Sequence, residues 1–188
     1  MPSQGPSEAG TFTVTTDGLG ATNPNNAKVD DGAYATISLS KLSGGDFLGL
    51  VSWTSFGFTI PTGSSIDGIE VLVQRYASGT GVSTSNAFLS GGSASSEDKA
   101  DGNWPTSPAS ENAFYGGATD TWGLTWTAAE INAAAFGFTY SFFNFDFFSA
   151  RDAFMDTCKI TVHYTEGGAG GGGSQVQEST PIIVMFGL

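Results

Sequence analysis

The sequence predicts an all-β fold, an antiparallel β-sandwich with one short helix and extended terminal arms, and three observations carry that reading. Period-2 alternation flanks a turn signal between Phe56 and Gly79: Phe56, Phe58 and Ile60 alternate with small or polar residues, Pro61 to Gly63 breaks the run, and Ile69, Val71 and Val73 alternate with Glu70, Leu72 and Gln74. Turn formers and large apolar side chains are both abundant, with 27 Gly, 7 Pro and 15 Phe in 188 residues, as many short strands joined by tight turns require. A helix signal comes once, at Thr127-Ala128-Ala129-Glu130, which has the form of a capping box.

Taken in order, residues 1–10 are small, polar and proline-containing and read as a flexible arm, and the sandwich body is expected over residues 11–165. Its strands are expected at Thr11 to Thr16, Ala33 to Leu39, a long or bent run from Phe47 to Ile60, the run through Ile69 and Val73, a short one at Asn86 to Leu89, Phe136 to Phe142, and Thr157 to Tyr164. Between them Gly91 to Pro108 is a polar loop with Trp104 in its middle, and Asn144 to Phe154 is an aromatic-rich loop. The core is expected to hold Ile69, Val71, Val73, Phe136, Phe138, Ile160 and Val162. Residues 166–174 have the composition of a flexible linker, and residues 175–188 form an apolar peptide.

Composition narrows the function classes. Six Lys and Arg stand against 18 Asp and Glu, a formal net charge of −12, which disfavours nucleic-acid phosphates and anionic lipid as partners. No run approaches the roughly 20 apolar residues of a membrane helix. The opening MPSQGPSEAG has neither a basic n-region nor an apolar h-region, so no secretion signal is expected.

Catalytic constellations are not apparent. His163 alternates onto the strand face opposite Cys158, so the two cannot meet as base and nucleophile, and zinc lacks a ligand set. Acidic loops at Asp30-Asp31-Gly32, at Glu97-Asp98 with Asp101-Gly102, and at Asp120 have no EF-hand spacing and read as solvated turns. Neither enzymatic activity nor a cofactor is expected. Trp104, Tyr115, Trp122 and Trp126 fit two uses, packing in a core or interface and stacking on a sugar.

Several stretches, TNPNNAKVDDGAYATISLS, FGFTIPTGSSIDGIEVLVQRYASG, GNWPTS, YGGATDTWGLTWTAAEINAAAFGFTY and KITVHYT, resemble in the same order a domain recurrent in structural proteins of tailed bacteriophages and prophages. The resemblance covers about residues 11–165. It implies a jelly-roll-type sandwich without enzymatic activity, made in a host cytoplasm and placed in the virion as a decoration, neck, tail or fibre protein. A carbohydrate- or receptor-binding module is the alternative, with Trp104, Tyr115 and Trp122 as contacts for a host-surface glycan. The phenylalanine run Phe142, Phe143, Phe145, Phe147 and Phe148 is expected at a contact between copies, a trimer being the first expectation. Val176, Ile182, Val184, Phe186 and Leu188 share one side of an extended C-terminal peptide, expected to dock as a strand on a neighbouring subunit or another virion protein.

Overall fold

A computed structural model describes residues 1–15, 19–41, 48–91, 96–108 and 112–167. Among these residues ten strands form: β1 (Ser3–Glu8), β2 (Thr11–Val14), β3 (Ala21–Thr22), β4 (Ala35–Leu39), β5 (Leu48–Thr54), β6 (Ser65–Ala77), β7 (Val82–Ser90), β8 (Asn112–Gly117), β9 (Gly137–Asn144) and β10 (Arg151–Thr165). A 3-10 turn covers Pro24–Lys28, and the helix α1 covers Ala128–Asn132.

These strands make two antiparallel sheets. One runs β3-β4-β10-β6-β8, with β1 also paired to β10, and the other runs β2-β5-β9-β7. From β4 to β10 each successive strand crosses to the opposite sheet, the strand order of a jelly-roll-like sandwich.

Alternation fills the space between the sheets. Ile69, Val71, Val73, Ile160 and Val162 enter it from one side, Val51, Trp53, Leu89, Phe138, Tyr140 and Phe142 from the other, and all are buried. Phe136, Phe138, Tyr140 and Phe142 form an aromatic column along β9 and its approach, with neighbouring ring centroids 5.6 Å apart at Phe138 and Tyr140 and 6.0 Å apart at Tyr140 and Phe142. The Trp53 indole donates to the Ala27 carbonyl at 2.6 Å, which fastens the 3-10 turn to the core.

At α1 the capping box forms as expected. The Thr127 hydroxyl accepts from the Glu130 N–H at 3.2 Å, and the Glu130 carboxylate accepts from the Thr127 N–H at 2.9 Å.

Four expectations change. The residues read as a flexible arm instead form β1, in register with β10 from Ser3 opposite His163 to Glu8 opposite Lys159. The cause is nonlocal: β4 pairs only with Arg151 to Met155 of β10, and β1 supplies partners further along that edge, between Lys159 and His163. The long strand expected to reach Ile60 ends at Thr54, where Ser55 and Gly57 adopt positive φ of 62° and 71°.

Phe56, Phe58 and Ile60 are buried but join no ladder. Side-chain amides bind that backbone instead: Asn132 brackets Ile60 at 2.7 and 2.8 Å, and Gln4 accepts from the Thr59 N–H at 2.8 Å. The strand expected at Asn86 to Leu89 spans all of β7, and the loop expected to reach Phe154 stops where β10 begins at Arg151. Most of the linker, and the docking residues Val176, Ile182, Val184, Phe186 and Leu188, lie outside the described residues.

Candidate functional site

The outer face of the six-stranded sheet carries a groove of about 410 Å³. Alternation along β6 turns Val71 and Val73 inward and leaves Glu70 and Leu72 facing out; along β10 the same rule turns Lys159, Thr161 and His163 out. Register aligns them across three strands. Lys159, Leu72 and Phe114 form one row, and Thr161, Glu70 and Gly116 form the next.

One side wall comes from β1. Gly5 and Pro6 fall in a register shift between Gln4 and Ser7, and the Pro6 ring lines the groove. Gly5 has φ +113°, and a Cβ there would lie 2.4 Å from the Ile160 carbonyl, so only glycine lets the strand kink this close to β10. The opposite wall is Phe114, whose ring is 75% exposed. Gly116 plays a matching part on β8, since a Cβ there would come within 2.1 Å of the Ile69 carbonyl.

Polar groups cluster at the rims. The Lys159 ammonium contacts Asp30 at 2.6 Å and Glu8 at 3.7 Å. Asp30 holds it above the ordinary lysine range, against the opposing pull of burial, and Glu8 adds to the effect. Glu70 lies 3.2 Å from the His163 imidazole and remains about half exposed. Thr161 lines the groove between these charged groups. The surface therefore offers a carboxylate acceptor, ammonium and hydroxyl donors, and an apolar ring within one groove.

Of the two uses open to the aromatic residues, packing and sugar stacking, Trp104, Tyr115 and Trp122 are found in packing and offer this groove no open ring. Trp104 is 4% exposed, Tyr115 4% and Trp122 0%, so none presents a ring face to solvent. Trp104 packs 4.7 Å from Phe142 and donates to the Thr84 hydroxyl at 3.1 Å. Trp122 donates to the Ile69 carbonyl at 2.9 Å, and Trp126 is likewise buried, donating to the Thr121 carbonyl at 3.0 Å. Tyr115 points inward from β8, 2.9 Å from the Tyr140 hydroxyl. Phe114, its neighbour in sequence, is the ring on the outward face that lines the groove.

Beneath the groove lies a buried cation. Arg75, 2% exposed, pairs with Asp101, reaches the Tyr115 hydroxyl at 3.3 Å, and sits 4.9 Å from the Trp104 ring centroid and 5.6 Å from that of Tyr140. Burial pushes the Tyr115 phenol up to about 12, opposed by the Arg75 charge, and raises Tyr140 well above its ordinary value. The acidic loops find protein donors: Asp98 accepts from Asn86 and Ala87 at 2.7 and 2.8 Å, and Asp120 pairs with Lys99 at 2.9 Å. Among the described residues, no group of three or more His, Cys, Asp or Glu is placed to hold a metal.

The phenylalanine run divides. Phe142 is fully buried, which removes it from any subunit contact, and Phe143 is partly buried. Phe145, Phe147 and Phe148 are exposed by 39%, 64% and 90%.

Comparison with known proteins matches no family model and no curated protein. Two solved structures are similar in fold. One is the second N-terminal cellulose-binding domain of Cellulomonas fimi β-1,4-glucanase C, at 12% identity over 85% of this chain and 94% of that chain, with a TM-score of 0.49. The other is described as a CBM4 structure, at 18% identity over 79% and 92% of the two chains, with a TM-score of 0.44.

Proposed function

We propose that this protein is a non-catalytic carbohydrate-binding module, and that a neutral glycan lies in the outer groove between Pro6 and Phe114. The observation that carries the reading is the groove's composition: an exposed Phe114 ring stands beside Glu70, Lys159 and Thr161 in an open space of about 410 Å³. Sugars present exactly the two kinds of surface this lining meets, C–H faces that pack on rings and hydroxyls that both donate and accept. The net charge of −12 favours a neutral chain over an acidic one. Binding is favoured over cleavage because, among the described residues, Glu70 is the one carboxylate lining the groove, Asp30 and Glu8 at its rim being engaged with Lys159, whereas glycosidic hydrolysis ordinarily uses two flanking the scissile bond. A glycan array followed by calorimetry tests the proposal. Selective binding that Phe114→Ala weakens supports it, and an array with no selective binding refutes it.

A separate observation favours a second reading, assembly into a phage particle. Three exposed phenylalanines at one end of the sandwich suit contact with other copies or other virion proteins, as the resemblance to virion domains implies. The readings are compatible, because a particle protein can carry a host-glycan groove on the same sandwich. Mass spectrometry of purified virions tests it, and absence of the chain from the particles would refute it.

A further inference from the structure

The exposed phenylalanines sit on a braced loop. The Phe145 N–H donates to the Gly81 carbonyl at 2.7 Å. Asp146 accepts from the Phe148 and Ser149 N–H groups at 2.8 and 3.1 Å and pairs with Arg151. Asn144 ties the same loop to the Ser40 and Ser149 carbonyls at 3.1 and 2.9 Å. Phe145, Phe147 and Phe148 surround a groove of about 250 Å³ completed by Thr80, Gly81 and Asp146. Rigidly held apolar rings facing water mark a surface built to be covered.

The chain itself supplies a suitable occupant. Pro181 to Leu188 reads PIIVMFGL and contains no charged residue, in a protein whose net charge of −12 makes bare copies repel one another. Geometry then decides whose peptide it is. Strand β10 starts beside the phenylalanine loop and ends at Thr165, so about 15 residues of strand, or roughly 45 Å, separate the groove from the point where the chain leaves the body. The last described residue, Gly167, lies against Gly63, at that far end. From Gly167 to Pro181 the 13 intervening residues span at most about 50 Å when fully extended, and a flexible chain of that length averages about 20 Å end to end. Seating the whole segment from Pro181 onward in the groove of its own body would need the linker stretched to nearly its full length, whereas a groove on an adjacent body can take the whole segment without such extension.

We infer that the Phe145–Phe147–Phe148 groove receives the Pro181 to Leu188 segment of a second copy of this chain. The contact is head-to-tail: each copy offers one groove at one end and one peptide at the other. Such a contact closes into a ring or continues as an open run, according to the rotation between copies.

Complementation between two full-length variants tests the inference. Phe147→Ser with Phe148→Ser removes the two most exposed of the groove's three rings, and Ile182→Asp with Val184→Asp places charge in the peptide. Light scattering across a dilution series should show the unaltered chain gaining mass with concentration and each variant alone remaining monomeric. An equimolar mixture should recover a dimer and stop there, since one working groove and one working peptide remain per pair. Recovery also shows that both variants are folded. The inference is overturned if the unaltered chain stays monomeric at every concentration, if either variant alone still assembles, or if the mixture does not recover the dimer.

Discussion

Phe114 and Leu72 face each other across the β6–β8 ladder and both point away from the core, Leu72 in the floor of the outer groove and Phe114 at its wall. With its ring 75% exposed, Phe114 contributes little to packing and is free to meet a ligand. Phe114→Ala is expected to weaken glycan binding by about tenfold or more while the melting temperature stays within error. Calorimetry alongside a thermal melt reads both. Unchanged affinity would move the glycan site elsewhere.

Phe138 is the centre of the aromatic core. Its ring lies 5.5 Å from Tyr115, 5.6 Å from Tyr140, 6.0 Å from Trp122 and 6.3 Å from Trp53, and it is fully buried. Phe138→Ala should cost about 3–5 kcal/mol in chemical denaturation, because rings held from both sheets cannot collapse into the cavity. Val71→Ala, nearer one sheet and smaller, should cost less.

What the sequence made legible follows the range of the forces involved. Ile69, Val71 and Val73 could be read because alternation is local, and α1 could be read because its capping box lies within four residues. SQGPSE has no apolar pattern, and it becomes β1 only because the edge of β10 needs partners. Phe56 to Ile60 alternates like a strand and is buried like one, yet its backbone is bound by Asn132 and Gln4, both distant in sequence. The groove was missed on both of its walls: the Pro6 wall lies in residues read as a flexible arm, and the Phe114 wall lies on β8, where no strand was expected. Phe114 and Tyr115 are adjacent aromatics, and the one that turns inward is the one whose hydroxyl meets Tyr140.

Alkaline stability should report on the buried tyrosines. Tyr115 titrates at about 12 in the folded chain against 10.0 ordinarily, chiefly through burial. A folded-state value raised in this way gives stability that is whole below the ordinary value and is lost as pH rises from there through the folded one. Denaturant midpoints should therefore fall between about pH 10 and 12. Tyr115→Phe should lower the starting stability by about 1 kcal/mol through the lost hydroxyl contacts and make the decline shallower. An equally steep decline would remove Tyr115 as its source.

The Arg75–Asp101 pair should behave non-additively. Asp101→Ala leaves the Arg75 charge buried among Tyr115, Tyr140 and Trp104 without its carboxylate, at an expected cost of about 1–3 kcal/mol. Asp101 is itself 36% exposed, which keeps the cost at the lower end of what buried pairs show. Adding Arg75→Met removes the stranded charge and fills similar space, so the double variant should be more stable than Asp101→Ala alone. A double-mutant cycle measures this, and simple additivity of the two costs would contradict it.

β1 joins the fold to the groove, so disturbing it should affect both. Removing residues 1–8 takes away the Pro6 wall and strips the partners from β10 between Lys159 and His163. The loss should lower the melting temperature by roughly 5 °C, weaken glycan binding, and expose a strand edge open to pairing between molecules. Gly5→Ala is the gentler form of the same experiment. At φ +113°, with Ile160 only 2.4 Å from the added carbon, alanine cannot keep the kink, and β1 must shift away from β10. Both variants should show the same pair of losses, read by a thermal melt and by calorimetry with the glycan. A chain lacking residues 1–8 that melts and binds as before would mean that β1 contributes to neither the sheet nor the groove.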